Sequence, residues 1–448
     1  MNEPATELPT LQRLVTMFRS AMVALGKAPT DADLEGWAVL VHASMSGRGR
    51  SYHTIEHVFD VSEGPRPPDA IGTLAILFHD TVYCEVDGGL PRGLAAHLGD
   101  ALRVDGEKVE LGPFDPDEDR LRALVAQLFG FTPGQAITFQ TGLNELASAL
   151  LAVRALRSHL SLRELAEVVA CIEATISFRP RHAEDALAAR LAVADATYGL
   201  GLGSEGVDQA VRRAVRVANR DVANFAFEDA AAFLSHTWEI LPEANPTLRV
   251  PAYTLGEYRE ALARMERFLA VLEPERVFRT YGGEPSEPEL AGLRARSGAN
   301  IARGVRYLRQ KLLSARVLES LAILSGGDGP VALFMGDLPN ARPSLRLEQL
   351  LPSPNVIAAD VDGALLRLLV EGRQREVGFD LRHSPLAAYM YARMGDAETD
   401  RVLASADGWP LLEALPPGMV AELTAACARV APTRAERLSA IARRLARA

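Results

Sequence analysis

Along most of the chain, apolar side chains recur every three to four positions, the spacing that gathers them on one face of a helix. LQRLVTMFRSAMVAL and DLEGWAVLVHASM predict two helices within the first 45 residues, with Thr30 and Asp31 behind Pro29 as possible starts of the second. SGRGRS breaks the pattern. SYHTIEHVFDVSEG resumes it until Gly64 and PRPPD, and DAIGTLAILFHDTVY follows, with Asp69 placed to cap a strongly apolar stretch. Ile71, Leu74, Ala75, Leu77 and Phe78 mark that stretch as buried.

Residues 84–118 lose the helical period. GGLPRG, the alternating LRVDGEKVELG and FDPDED predict a surface excursion with a short hairpin turning at Asp105-Gly106. Helical spacing returns in EDRLRALVAQLFG, NELASALLAVRALRSHL, LRELAEVVACIEATISF and HAEDALAARLAVADATYGLG. It continues over 207–240 and closes at Pro242. After the linker EANPTLRVPAY come GEYREALARMERFLAVL and SGANIARGVRYLRQKLLSARVLESLAIL. Glycines and prolines at 325–353 mark a seam, and the last hundred residues give shorter helices.

The expected fold is all-α. It comprises a helical domain over 1–245 carrying an insertion at about 84–140, a helical extension at 250–325, and a mostly helical region at 350–448. A length of 448 residues agrees with more than one core.

Charge narrows the partners. Lys and Arg total 48 against 58 Asp and Glu, a net charge of −10, which speaks against a protein that coats nucleic acid. No run of 18 apolar residues suggests a membrane span, and the opening MNEPATELPTLQRL is acidic where a secretory signal is basic. With three widely separated cysteines, the expectation is a cytoplasmic protein that binds neither membrane nor nucleic acid.

Of nine histidines, His53, His57 and His79 fall within 27 residues. Four apart on a helix, His53 and His57 share a face. Asp80 follows His79 directly at the end of the apolar stretch. Four nitrogen and oxygen donors so placed suit either a divalent metal ion or a structural hydrogen-bond network, because unpaired ionisable groups are costly to bury.

RSYHTIEHVFDV followed by LAILFHDTVY resembles the HD superfamily of metal-dependent phosphohydrolases, closest to its small bacterial predicted phosphohydrolases and more distantly to cyclic-nucleotide phosphodiesterases. Asn144, Glu145, Ser148 and Ala149 match an NE..SA element of the bacterial group. IEATISF resembles its threonine-containing helix, and LAVADATYGLG the segment that supplies a last aspartate. The likeness covers roughly residues 50–203. It implies an HD-type helical bundle in which His57, His79, Asp80 and Asp195 hold the metal and His53 serves as general acid. Three departures stand out: about 60 residues separate the HD and NE elements that the bacterial group keeps close together, Thr54 replaces the usual Asn, and Phe178-Arg179 replaces a histidine after the threonine helix.

The implied activity is metal-dependent hydrolysis of a phosphomonoester or phosphodiester, in a nucleotide-like small molecule, with Mn, Fe, Co, Zn or Mg as the divalent ion. Arg50, Arg179 and Arg181 are the cations nearest the motifs that can bind substrate phosphate. Glu145 is a candidate base or orienting group. Asn219, Asp221 and Asn224, polar among apolar neighbours in VANRDVANFAF, read first as an internal hydrogen-bond network. The rival expectation is a non-catalytic metal-binding scaffold or ligand-sensing interaction module, and a homodimer is left open.

Overall fold

The computed structural model describes residues 8–446 other than 65, 91, 106, 107, 340–343, 353–356 and 417. Helix makes up 67% of the structure and strand is confined to one small sheet, so the fold is all-α as expected. Contacts divide the chain into two units, 1–223 with 273–295, and 224–272 with 296–448. The first unit therefore ends well before 245, and takes back a later segment that neither periodicity nor composition marks.

In the first unit the helices are α1 Thr10–Ala24, α2 Asp31–Met45, α3 Ile55–Ser62, α4 Ala70–Phe78, α5 Cys84–Asp87 and α6 Arg92–Leu98. They continue as α7 Arg120–Phe129, α8 Leu143–Leu156, α9 Leu162–Ala174, α10 Ala183–Tyr198 and α11 Gly203–Asp221. Several begin where a side chain can take an otherwise unpaired backbone N–H. Thr30 with Asp33 and Ser161 with Glu164 form capping boxes, and Asp69 accepts from Gly72 N to open α4.

The core forms around α4, whose Leu74, Ala75, Ile76, Leu77 and Phe78 are fully buried against α1 and α9. Helix α9 in turn packs on α8 and α11. Truncating such a side chain, for example Leu74→Ala, would cost about 2–5 kcal/mol. This buried apolar helix ends at His79-Asp80, so the pair is presented by an element packed in the core.

The excursion holds more structure than its composition suggests. Strands Leu102–Asp105 and Lys108–Leu111 pair antiparallel, and Ala136–Ile137 adds a third strand beside the second. Gly106 of the expected turn lies outside the described residues. Between these strands α7 buries Leu124, Val125 and Leu128 in the core, so the region 84–140 is partly core and not simply a surface loop.

The returning segment is tied to the first unit by polar groups. Asn219 donates to Arg279 O and accepts from Arg279 N, both at 2.9 Å, and the Tyr281 hydroxyl donates to Asp208 at 2.8 Å. None of these partners lies within 50 residues in sequence, which is why a linear reading misses the return.

In the second unit the helix opened by Ala230 runs to Ala244, two residues past the expected stop at Pro242. Proline lacks the N–H for one backbone hydrogen bond and crowds the carbonyl four residues before it, and the helix ends two residues later. Helices Leu255–Val271, Gly363–Glu371 and Pro385–Leu403 belong to the same unit, as does Glu287–Gly326 from Arg296 onward. Their core includes Trp238, Tyr307, Leu321, Phe334 and Tyr391. No described helix in either unit is long and apolar enough to cross a membrane.

Candidate metal centre

Three elements of the first unit bring four ligand atoms together. His57 lies on α3, His79 and Asp80 in the turn that ends α4, and Asp221 at the last position of α11. His57 Nε2 is 3.0 Å from Asp221 Oδ1 and 3.6 Å from Asp80 Oδ2, while His79 Nε2 is 2.9 Å from Asp80 Oδ2 and 3.4 Å from Asp221 Oδ1. One ligand atom from each residue lies within 4.8 Å of all the others.

Those separations are close to the spacing of ligands around one cation. Metal–ligand bonds of about 2.0–2.2 Å put neighbouring ligands roughly 3.0–3.4 Å apart in octahedral or tetrahedral arrangements. His79 Nε2 and Asp80 Oδ2 are buried at 2.9 Å yet out of line for a hydrogen bond, and neither has another hydrogen-bond partner. On the far side of the ring, His79 Nδ1 is 2.8 Å from Ile76 O. A carbonyl can only accept, so Nδ1 carries a proton, which leaves Nε2 as the ring nitrogen that could give its lone pair to a metal. The residues fit a divalent ion.

Electrostatics agree. Burial opposes charge on Asp80, but the His79, His53 and His57 rings outweigh it and hold the carboxyl far below its usual range. Asp221 is likewise opposed by burial, yet drawn down to about 2 by its hydrogen bond with His57 and by the neighbouring His79. Burial works against charging His79, but Asp80 and Asp221 push its pKa well up. Two ionised carboxylates in a buried pocket invite positive charge.

Local packing explains the convergence. The Arg220 guanidinium grips the end of α3 through Val61 O at 2.7 Å, Arg66 O at 2.6 Å and Glu63 O, and so places its neighbour Asp221 against His57. Beyond Asp80, Val82 N donates to the Ser148 hydroxyl and Cys84 N to Asn144 Oδ1, both at 3.0 Å. Asn144 and Ser148 of the NE..SA element thus act as anchors for the ligand-bearing turn.

The expected ligand Asp195 is not in the group. It lies near the end of α10, where its two carboxylate oxygens accept from Leu202 N at 2.9 Å and Gly203 N at 2.8 Å and cap the next helix. Asp221 occupies the fourth position instead. The sequence held one signal for it, an acid flanked by apolar residues near the end of a strongly amphipathic helix.

His53 precedes α3 instead of lying on it, because the helix starts at Ile55. Its ring is perpendicular to that of Tyr83, with centroids 4.6 Å apart, and 5.8 Å from the His57 ring. Tyr83 stacks in turn on Phe139. Glu145 Oε2 is buried without a hydrogen-bond partner, and burial, followed by the charges of Asp80 and Asp221, pushes its carboxyl up to about 7.

The three candidate arginines have different placements. Arg50, expected to meet phosphate, is buried and engaged by Asp87 and by the backbone oxygens of His53, Asp80 and Thr81. Arg179 is half-buried, 2.6 Å from Glu173 Oε1, and feels the charge of Glu145. Arg181 is exposed on the surface. A cavity of about 1680 Å³ is lined mainly by α2, α6, α8 and residues between 113 and 122, and none of the four metal-candidate residues lines it.

No family model, curated protein or solved structure matches the chain. The sequence and the geometry together therefore establish a helical protein with a His/Asp group able to hold a metal ion.

Proposed function

We propose that the first unit is a metal-dependent phosphohydrolase of the HD type, acting on a phosphomonoester or phosphodiester in a nucleotide-like small molecule. The observation that carries this reading is the convergence of His57, His79, Asp80 and Asp221, with orphaned ligand atoms turned toward one another. Its supporting sequence signal is the order of YHTIEH, FHD and NELASA, which resembles that superfamily.

A divalent ion held by two imidazoles and two carboxylates supplies Lewis acidity, which lowers the pKa of water and offsets charge on phosphate. Two imidazoles suit Mn, Fe, Co or Zn better than Mg. His53 sits beside the group with a reference pKa near neutrality, suited to giving a proton to the leaving oxygen. Glu145, held near 7 before any cation binds, is suited to taking or passing a proton. Arg179, close enough to respond to Glu145, is the remaining half-buried cation among those expected to meet phosphate.

The test is metal analysis of protein purified without added metal, followed by phosphate-release and nucleotide-hydrolysis screens with Mn²⁺, Co²⁺, Mg²⁺ and Zn²⁺ added separately. Activity that requires metal and vanishes in Asp80→Ala supports the enzyme. Tightly bound metal without hydrolysis of any ester would instead support a scaffold or sensor.

A further inference from the structure

The second unit contains a buried ionic group of its own. Asp380 Oδ2 accepts from Trp238 Nε1 at 2.7 Å and from Lys311 Nζ at 2.6 Å, and lies 3.5 Å from an Arg373 terminal nitrogen. Lys311 is 5% exposed and Arg373 1%, so two buried cations draw on one carboxylate. Excess charge in such surroundings is costly unless something compensates it.

Arg373 is fixed independently of any ligand. It donates to the Tyr307 hydroxyl at 3.2 Å and to Leu381 O at 2.6 Å, and its guanidinium lies 4.3 Å from the Trp238 ring centroid. Lys311 is less constrained. Its ammonium has three N–H groups and lies 5.6 Å from the Tyr258 ring centroid.

Lys311, Tyr258 and Asp380 line a cavity of about 30 Å³. The Tyr258 hydroxyl is buried there without a hydrogen-bond partner. Arg346 and Glu348, also in the lining, lie 3.4 Å apart and cancel in charge. At about 10–15 Å³ per water-sized probe, the space admits two waters or one halide-sized ion. An unpartnered hydroxyl would be met by either occupant, but the surplus cation favours the charged one.

We propose that this cavity binds a single small inorganic anion of halide size, held by Lys311 Nζ and the Tyr258 hydroxyl, with the charge of Arg373 behind it. Burial, and next the nearby Asp380, keeps the Tyr258 phenol protonated far above neutrality, so it is available as a donor. Larger oxyanions such as phosphate do not fit a space of this volume.

Crystals of the full-length protein soaked in sodium bromide are expected to show an anomalous peak in this cavity, within hydrogen-bonding reach of Lys311 and Tyr258. In solution, the thermal midpoint should rise and saturate with sodium chloride relative to sodium gluconate at equal ionic strength. Tyr258→Phe keeps the shape and removes the donor, and should raise the half-saturating chloride concentration at least fivefold. Ordered density in the cavity without anomalous signal, or bromide at surface positions only, would overturn the proposal, as would an unchanged chloride response in Tyr258→Phe. The bromide experiment on the unaltered protein decides the matter even if the variant fails to fold.

Discussion

Arg50 and Asp87 meet in a buried two-point ion pair, Nε to Oδ1 at 3.0 Å and a terminal nitrogen to Oδ2 at 2.7 Å. The same guanidinium donates to His53 O, Asp80 O and Thr81 O. It therefore joins the chain before α3 to the turn after α4, the two places from which His53, His57, His79 and Asp80 emerge. Gly47 completes the clamp, since a Cβ there would stand 2.7 Å from Asp87 Oδ1.

Arg50→Ala leaves Asp87 buried without its partner and should destabilise the first unit by about 3–5 kcal/mol. Arg50→Lys should rescue little, because an ammonium cannot reproduce the planar fork. Chemical denaturation of the metal-free variants measures the loss. Metal titration should show weaker binding in both, since the two ligand-bearing segments are no longer tied together.

Asp221 and Asp195 offer a direct contrast. Asp221→Ala removes one of four converging ligand atoms and should strip most of the metal. Asp195→Ala removes only a cap on the turn after α10, and should leave metal content unchanged. Metal analysis of both proteins, purified side by side, distinguishes them. Retained metal in Asp221→Ala would exclude this residue from the ligand set.

The helices of the first unit were legible because their apolar periods are local, and so was the chemistry of His57, His79 and Asp80, which cluster within a few turns. Asp221 was not legible as a ligand. It reaches His57 across a separation of 164 positions, and what brings it there is Arg220 holding backbone oxygens at and just beyond the end of α3, contacts that leave no periodic trace. The surroundings of Arg50 were hidden for a related reason. An arginine beside a histidine motif reads as a phosphate ligand, whereas its five donors are consumed by Asp87 and the backbone. The segment 273–295 returns to the first unit through Asn219 and Asp208, again pairings that only the folded chain reveals.

Glu145 gives the metal-free protein a distinct pH response. Its carboxyl is raised from an ordinary 4.5 to about 7, first by burial and then by Asp80 and Asp221. Between those two values the folded state holds a proton that the unfolded chain has released, so this group's contribution to stability falls as pH rises from about 4.5 through about 7. The loss amounts to as much as ~3 kcal/mol. Glu145→Gln should remove it, making the metal-free protein more stable at pH 8 and flattening the stability profile across that window. Urea unfolding in chelator at several pH values measures the effect, and an unaltered profile in the variant would show that Glu145 does not hold this proton.

His53 separates an enzyme from a scaffold. If it gives a proton to the leaving oxygen, His53→Ala should lower turnover by roughly 10²- to 10⁴-fold, the span for a positioned acid or base. Metal content should stay close to normal, because His53 lies in the turn before α3 and outside the four-residue ligand group. The loss should be greatest for esters with alkoxide leaving groups and small for p-nitrophenyl esters, whose leaving group departs with little help from a proton. A histidine that merely buttresses Tyr83 and the start of α3 would behave differently: similar losses on every ester, accompanied by weaker metal binding or lower stability. Rates on one activated and one unactivated ester, with metal measured on the same samples, tell the two apart. A flat leaving-group profile removes His53 from the acid role even if the protein hydrolyses phosphate esters.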